Sequence, residues 1–80
     1  MNTFHLIISS VSENIYDGPA LSATVPGSAG EMTILPNHEP LISTLKAGAI
    51  TVSIPNHDNR EIPIHSGVIE TSSSRTVVLV

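Results

Sequence analysis

The chain predicts an all-β fold, an antiparallel β-sandwich of nine or ten short strands in two sheets, as one domain over residues 1–80. Three observations carry that expectation. Apolar residues recur with a period of two in several segments. Turn-forming clusters separate those segments at roughly eight- to twelve-residue intervals. No segment sustains the 3.6-residue repeat of an amphipathic helix.

The elements follow in chain order. Phe4, Leu6 and Ile8 share one face of a first strand, with His5 and Ile7 on the other. Asp17-Gly18-Pro19 reads as a turn. Leu21, Ala23 and Val25 then alternate with Ser22 and Thr24. Pro26-Gly27-Ser28-Ala29-Gly30 is a second turn, with Gly27 and Gly30 supplying backbone freedom. Glu31 to Leu35 forms a short strand that Pro36 stops, because proline lacks an N–H and restricts the residue before it. Asn37-His38-Glu39 makes a polar corner, and Asn37 to Pro40 is the best candidate for a single helical turn. Pro40 hands the chain to the apolar segment Leu41 to Leu45, which Ala47-Gly48 closes. Ile50, Val52 and Ile54 alternate most cleanly, with Thr51 and Ser53 between them. Pro63 between Ile62 and Ile64 places that strand at an edge or bulge, since proline cannot donate to a ladder. After a Ser72-Ser73-Ser74 turn, Thr76 to Val80 is apolar on both faces, which predicts a strand covered on both sides.

Composition narrows the function classes. Charged residues make up 12% of the chain and sum to a net charge of -4, against about 25% charged residues in ordinary domains. The cations Lys46, Arg60 and Arg75 are far apart in sequence, so neither a nucleic-acid stripe nor a polybasic lipid patch is expected. A surface made polar by Ser, Thr and Asn is cheap to desolvate, which suits a subunit buried against partners. No apolar run approaches the roughly 20 residues of a membrane span, and direct membrane insertion is not expected. Met1-Asn2-Thr3-Phe4 does not read as a signal peptide. With no cysteine, neither a disulfide nor a Cys-based metal site exists.

Catalytic constellations are sparse. No serine sits in a Gly-x-Ser-x-Gly elbow. His38-Glu39 begins like a His-Glu-x-x-His zinc motif, but the required histidine position is Ile42. His57 reads as a solvated hairpin residue, and His5 and His65 as half-exposed strand residues. Gly27-Ser28-Ala29-Gly30 lacks the lysine and following helix of a phosphate cradle, so no nucleotide and no other cofactor is expected. The rim residues Glu31 and His38 stand as a strand-start carboxylate and a corner imidazole.

The run Gly30-Glu31-Met32-Thr33-Ile34-Leu35-Pro36-Asn37-His38-Glu39-Pro40-Leu41, followed by Leu45-Lys46-Ala47-Gly48, resembles the epsilon subunit of F-type ATP synthases. Phe4-His5-Leu6, and Ser66-Gly67-Val68-Ile69-Glu70, which looks like that family's Ser-Gly-Gly-x-x-Glu, extend the likeness over nearly the whole chain. The resemblance implies a ten-stranded N-terminal sandwich with no reaction of its own. It further implies a peripheral position on the cytoplasmic face of a bacterial plasma membrane or its organellar equivalent. There the domain would attach the gamma subunit to the c-ring and help couple proton- or sodium-driven rotation to ATP synthesis. Glu31 and His38 occupy the family's c-ring-facing motif positions, and Ser10, Leu41 and Ile42 are expected, by the same analogy, to face gamma. The family's helical pair, with its brake on hydrolysis, is expected to be missing from a chain that stops at Val80. Two other classes stay open beside this reading: an unrelated small β-sandwich adaptor or ligand-binding module, and an enzyme with a hidden histidine site.

Overall fold

The computed structural model describes residues 2–37, 39–72 and 74–80. Among the described residues nine strands occur in chain order: β1 (Phe4–Ser9), β2 (Asn14–Ala20), β3 (Ser22–Gly27), β4 (Gly30–Ile34), β5 (Leu41–Leu45), β6 (Gly48–Ser53), β7 (Arg60–Ile64), β8 (Gly67–Thr71) and β9 (Arg75–Leu79). They form one hydrogen-bonded sheet in the order β2-β1-β9-β8-β5-β3-β6-β7, with β4 paired to β3. The sheet narrows between β5 and β3 to a single residue pair, Leu45 with Gly27. The two expected sheets are therefore a β2-β1-β9-β8-β5 layer and a β4-β3-β6-β7 layer of one curled sheet. Pairing is antiparallel except between β1 and β9, which run parallel with His5 opposite Arg75 and Ser9 opposite Leu79.

Both layers contribute to one core. Period two drives this, because alternate side chains of a strand leave opposite faces. Leu6, Ile8, Ala23, Val25, Ile34, Ile50, Val52, Ile69 and Val78 are all fully buried. Among the described residues, no buried side-chain nitrogen or oxygen lacks a hydrogen-bond partner. That is the expected state of a small core, where an unpaired polar group costs about 1–3 kcal/mol.

The hairpin joining β3 to β4 is tight. A Cβ on Gly27 would lie 2.5 Å from the Gly30 carbonyl oxygen, and Gly30 has φ 139°. The turn reading of both glycines is borne out in those contacts. Pro63 is exposed on β7, at one end of the strand order, as its missing donor demands.

Four local expectations need correction. Asp17-Gly18-Pro19 is not a turn but the middle of β2. As β2 pairs only with β1, its outer edge has no ladder to lose, and Gly18 and Pro19 are tolerated there. The chain around Pro36 and Asn37 is a turn with Asn37 at φ 64°, outside the helical region. Asparagine enters that left-handed region more readily than most residues. His65 lies in the bend between β7 and β8, where the chain passes from one layer to the other, rather than in a strand. Finally, β9 is covered on one face only. Thr76 and Val78 are buried, but Leu79 is 56% exposed.

Two contacts secure the β2 edge. The Tyr16 hydroxyl donates to the Pro19 carbonyl at 2.6 Å. The Arg60 guanidinium sits over the Tyr16 ring, 5.8 Å from its centroid. Since β2 and β7 end the strand order, this cation–π contact brings together the two ends of the curled sheet.

Candidate functional site

The outer face of the β2-β1-β9-β8-β5 layer leaves several large apolar side chains exposed. Its side chains follow from register. Ile42 on β5 is opposite Glu70 on β8, and Glu70 is opposite Val77 on β9. Val77 is opposite Ile7 on β1, and Ile7 is opposite Asp17 on β2. One row of side chains thus crosses five strands, reading Ile42, Glu70, Val77, Ile7, Asp17. A neighbouring row runs through Thr44, Val68, Leu79 and Ser9. Ile42 is 71% exposed, Leu79 56% and Val68 42%, so three large apolar side chains of adjacent strands stand in water together.

Two shallow depressions mark this face. One, of about 710 Å³, lies against Pro40, Ile42, Glu70, Arg75 and Val77. The other, of about 220 Å³, lies between Ile42, Val68, Glu70, Val77 and Leu79. Ile42, Glu70 and Val77 belong to both, so Glu70 borders both hollows. Among the described residues no ion pair includes Glu70.

The other end of the same face is electrically closed. His5 Nε2 and Asp17 Oδ1 meet at 2.5 Å, with both side chains about half exposed. That hydrogen bond holds the Asp17 carboxyl below its usual range, assisted more weakly by Asn14 and by the charge of Arg75, and opposed by slight desolvation.

Of the sequence-predicted site residues, Ser10, Glu31, Leu41 and Ile42 lie within the described residues. Glu31 is exposed on β4, opposite Pro26 beside the β3–β4 hairpin. His38 lies outside the described residues. Its neighbour Asn37 lies in the turn that follows β4. Ser10 sits in the β1–β2 turn, where its Oγ accepts from the Ser12 and Glu13 amides at 3.3 and 3.2 Å. Leu41 is half-buried and packs against the core, whereas Ile42, one residue on, faces outward. Register places Leu41 level with Thr71, Thr76 and Leu6, and Ser10 lies about 13 Å further along β1 at ~3.3 Å per residue. Of that trio only Ile42 belongs to the exposed face. Sequence reasoning missed Val68 and Glu70 as its companions. Their shared parity in Gly67-Val68-Ile69-Glu70-Thr71, with Ile69 buried between them, was the available signal.

The metal and catalytic readings gain no cluster. Among the described residues, no group of three or more His, Asp or Glu converges to hold a metal ion. His57 is exposed in the turn between β6 and β7.

Residues 3–80 match the family model described as the β-sandwich domain of the ATP synthase delta/epsilon chain. The chain belongs to that family. Its curated relatives include the "ATP synthase epsilon chain" of Nitrosomonas eutropha, 37% identical over 76 residues. That of Delftia acidovorans is 32% identical over 79. The alignments cover 95% and 99% of this delta/epsilon-family chain but 54% and 57% of those relatives, so it spans about half their length. The same fold occurs in the Euglena gracilis mitochondrial ATP synthase, described as OSCP/F1/c-ring, with TM-score 0.89 and 20% identity over 96% of this chain and 49% of that one. A chain of the Tetrahymena thermophila mitochondrial ATP synthase central stalk and c-ring superposes with TM-score 0.79 at 8% identity, covering 98% of this chain and 63% of that one.

Proposed function

We propose that this domain acts as a non-catalytic central-stalk part of a proton- or sodium-translocating ATP synthase, attaching the gamma subunit to the membrane c-ring. The observation that carries the reading is the match of residues 3–80, in order, to the delta/epsilon sandwich family, whose relatives here are named epsilon chains. The physical design supports it. A weakly charged, cross-bonded sandwich with an uncovered apolar face is suited to being gripped by a partner. Its place would be peripheral, on the cytoplasmic face of a bacterial plasma membrane or the organellar equivalent. Among the described residues no helix is long and apolar enough to cross a membrane.

In this arrangement the Glu31 and His38 positions face the polar loops of the c-ring, and Ile42 faces gamma, with Ser10 and Leu41 at that contact's margins. A carboxylate and an imidazole suit cationic and amide side chains of such loops.

The test is reconstitution. The purified chain is mixed with gamma bound to its c-ring, and complex formation is followed by gel filtration and by ring attachment of gamma. Co-elution with improved attachment is expected; no association with either component overturns the proposal. Glu31→Ala combined with His38→Ala should weaken ring attachment while leaving binding to gamma nearly unchanged. Exposed polar pairs contribute only about 0–1 kcal/mol each, so each single change is mild and the double change larger. Equal loss of gamma binding in the double variant would remove this rim from the ring contact.

A further inference from the structure

The feature left over by this reading is Glu70. It is exposed, it has Ile42 and Val77 as its direct cross-strand neighbours, and it borders both hollows of the face. Elsewhere on the same layer Asp17 meets a hydrogen-bonding partner, His5, built into the fold. Glu70 has no such partner among the described residues; Arg75 borders the same hollow without pairing with it.

A partner that covers Ile42, Val68 and Leu79 must also cover the carboxylate among them. Removing an ionised carboxylate from water without compensation is strongly unfavourable, whereas a cation placed against it recovers much of that cost. The lone carboxylate therefore acts as a filter. An all-apolar partner face is penalised, an acidic one is repelled, and a face with one basic side chain set among apolar ones is accepted.

We infer that Glu70 is the specificity-determining residue of this sheet face, selecting a partner segment that carries a Lys or Arg flanked by apolar residues. The inference rests on the proposed stalk role in taking gamma as that partner, and it adds the chemistry that gamma must present. The apolar row supplies contact area, and Glu70 sets which segment fits and in what register.

Binding of purified gamma to the full chain, by titration calorimetry at low and high salt, tests this. The variants are Glu70→Gln, Glu70→Lys and Ile42→Asp. Both positions are exposed, and circular dichroism and thermal unfolding should match the parent. Ile42→Asp is expected to weaken binding by about a hundredfold or more. Glu70→Gln should weaken it about tenfold and flatten the salt dependence, since charge-assisted bonds contribute more than neutral ones. Glu70→Lys should fall further, through repulsion of the partner's cation. If Ile42→Asp abolishes binding while Glu70→Gln leaves affinity and salt response unchanged, the face is correct and the role of Glu70 is refuted. If gamma binds all variants alike, the face itself is wrong while the stalk role stands. If the parent chain fails to bind gamma, the stalk reading falls and takes this inference with it.

Discussion

The two ends of the outer sheet face handle charge in opposite ways. At the β1–β2 end, Asp17 meets His5 across neighbouring strands, and Arg75 stands opposite His5 on β9. At the β5–β8 end, Glu70 is set between Ile42 and Val77 with no ion-pair partner among the described residues. The first arrangement is complete within the fold and presents a polar, hydrated surface. The second is incomplete and presents apolar area around one charge. A difference of this kind separates a surface built to stay in water from one built to be covered.

That contrast can be broken most forcefully by asking whether the apolar face supports the fold. Leu6 lies on the inner side of β1 and is fully buried. Leu6→Ala should cost about 2–5 kcal/mol in denaturant unfolding, the usual range for a buried leucine with its cavity. Ile42→Asp, on the outer side of β5, should stay within about 0.5 kcal/mol, as surface changes do. A comparable loss at both positions would make Ile42 structural and remove the docking argument.

A smaller effect is expected at the closed end. Arg60→Ala removes the cation from the Tyr16 ring, and a contact of this type at an exposed site contributes about 0.5–1 kcal/mol. Amide hydrogen exchange should then rise in β2 more than in β8, because the contact ties the β2 edge to β7. Uniform exchange across both strands would show that β2 does not depend on it.

The smallest effect concerns acid. The Asp17 carboxyl is held low in the folded chain, so its folded value lies below its unfolded one. Its contribution to stability is then present above the ordinary carboxylate range, near about 3.9, and is lost as pH falls through the lowered folded value. Asp17→Asn should lower the midpoint of thermal unfolding slightly at pH 5. The gap from the parent should close as pH falls through the lowered folded value, once the carboxyl is protonated in both the folded and the unfolded chain. A gap for Asp17→Asn that is independent of pH would exclude the ion pair as its source.

Much of the architecture was legible in the residues. Strands β1 and β6 follow directly from strict alternation, and Pro63 announced the edge position of β7. Strand β2 was hidden because Gly18 and Pro19 are turn residues by local preference. Only its edge location, a tertiary fact, makes them acceptable in a strand. The misreading of Thr76 to Val80 has a different origin. An apolar run on both faces means burial on both sides only if both coverings are part of the same fold. Here Val77 and Leu79 join Ile42 and Val68 on a face that the domain itself leaves open. The Glu31 and His38 positions were legible as motif, and Glu31 is exposed as expected. The filter at Glu70 was not, because its meaning depends on cross-strand neighbours far away in sequence.

The parallel pairing of β1 with β9 has a mechanical consequence. These strands contain the first and last ladder residues of the sequence, and they run the same way, from His5 beside Arg75 to Ser9 beside Leu79. Tension applied between the two ends of the chain would pull β1 and β9 along their axes in opposite directions. Such a load is shared by the whole ladder at once instead of opening one bond after another. A tethered domain of this topology resists stretching in the direction of its own backbone, while a pull across the sheet would peel the same strands apart at far lower force.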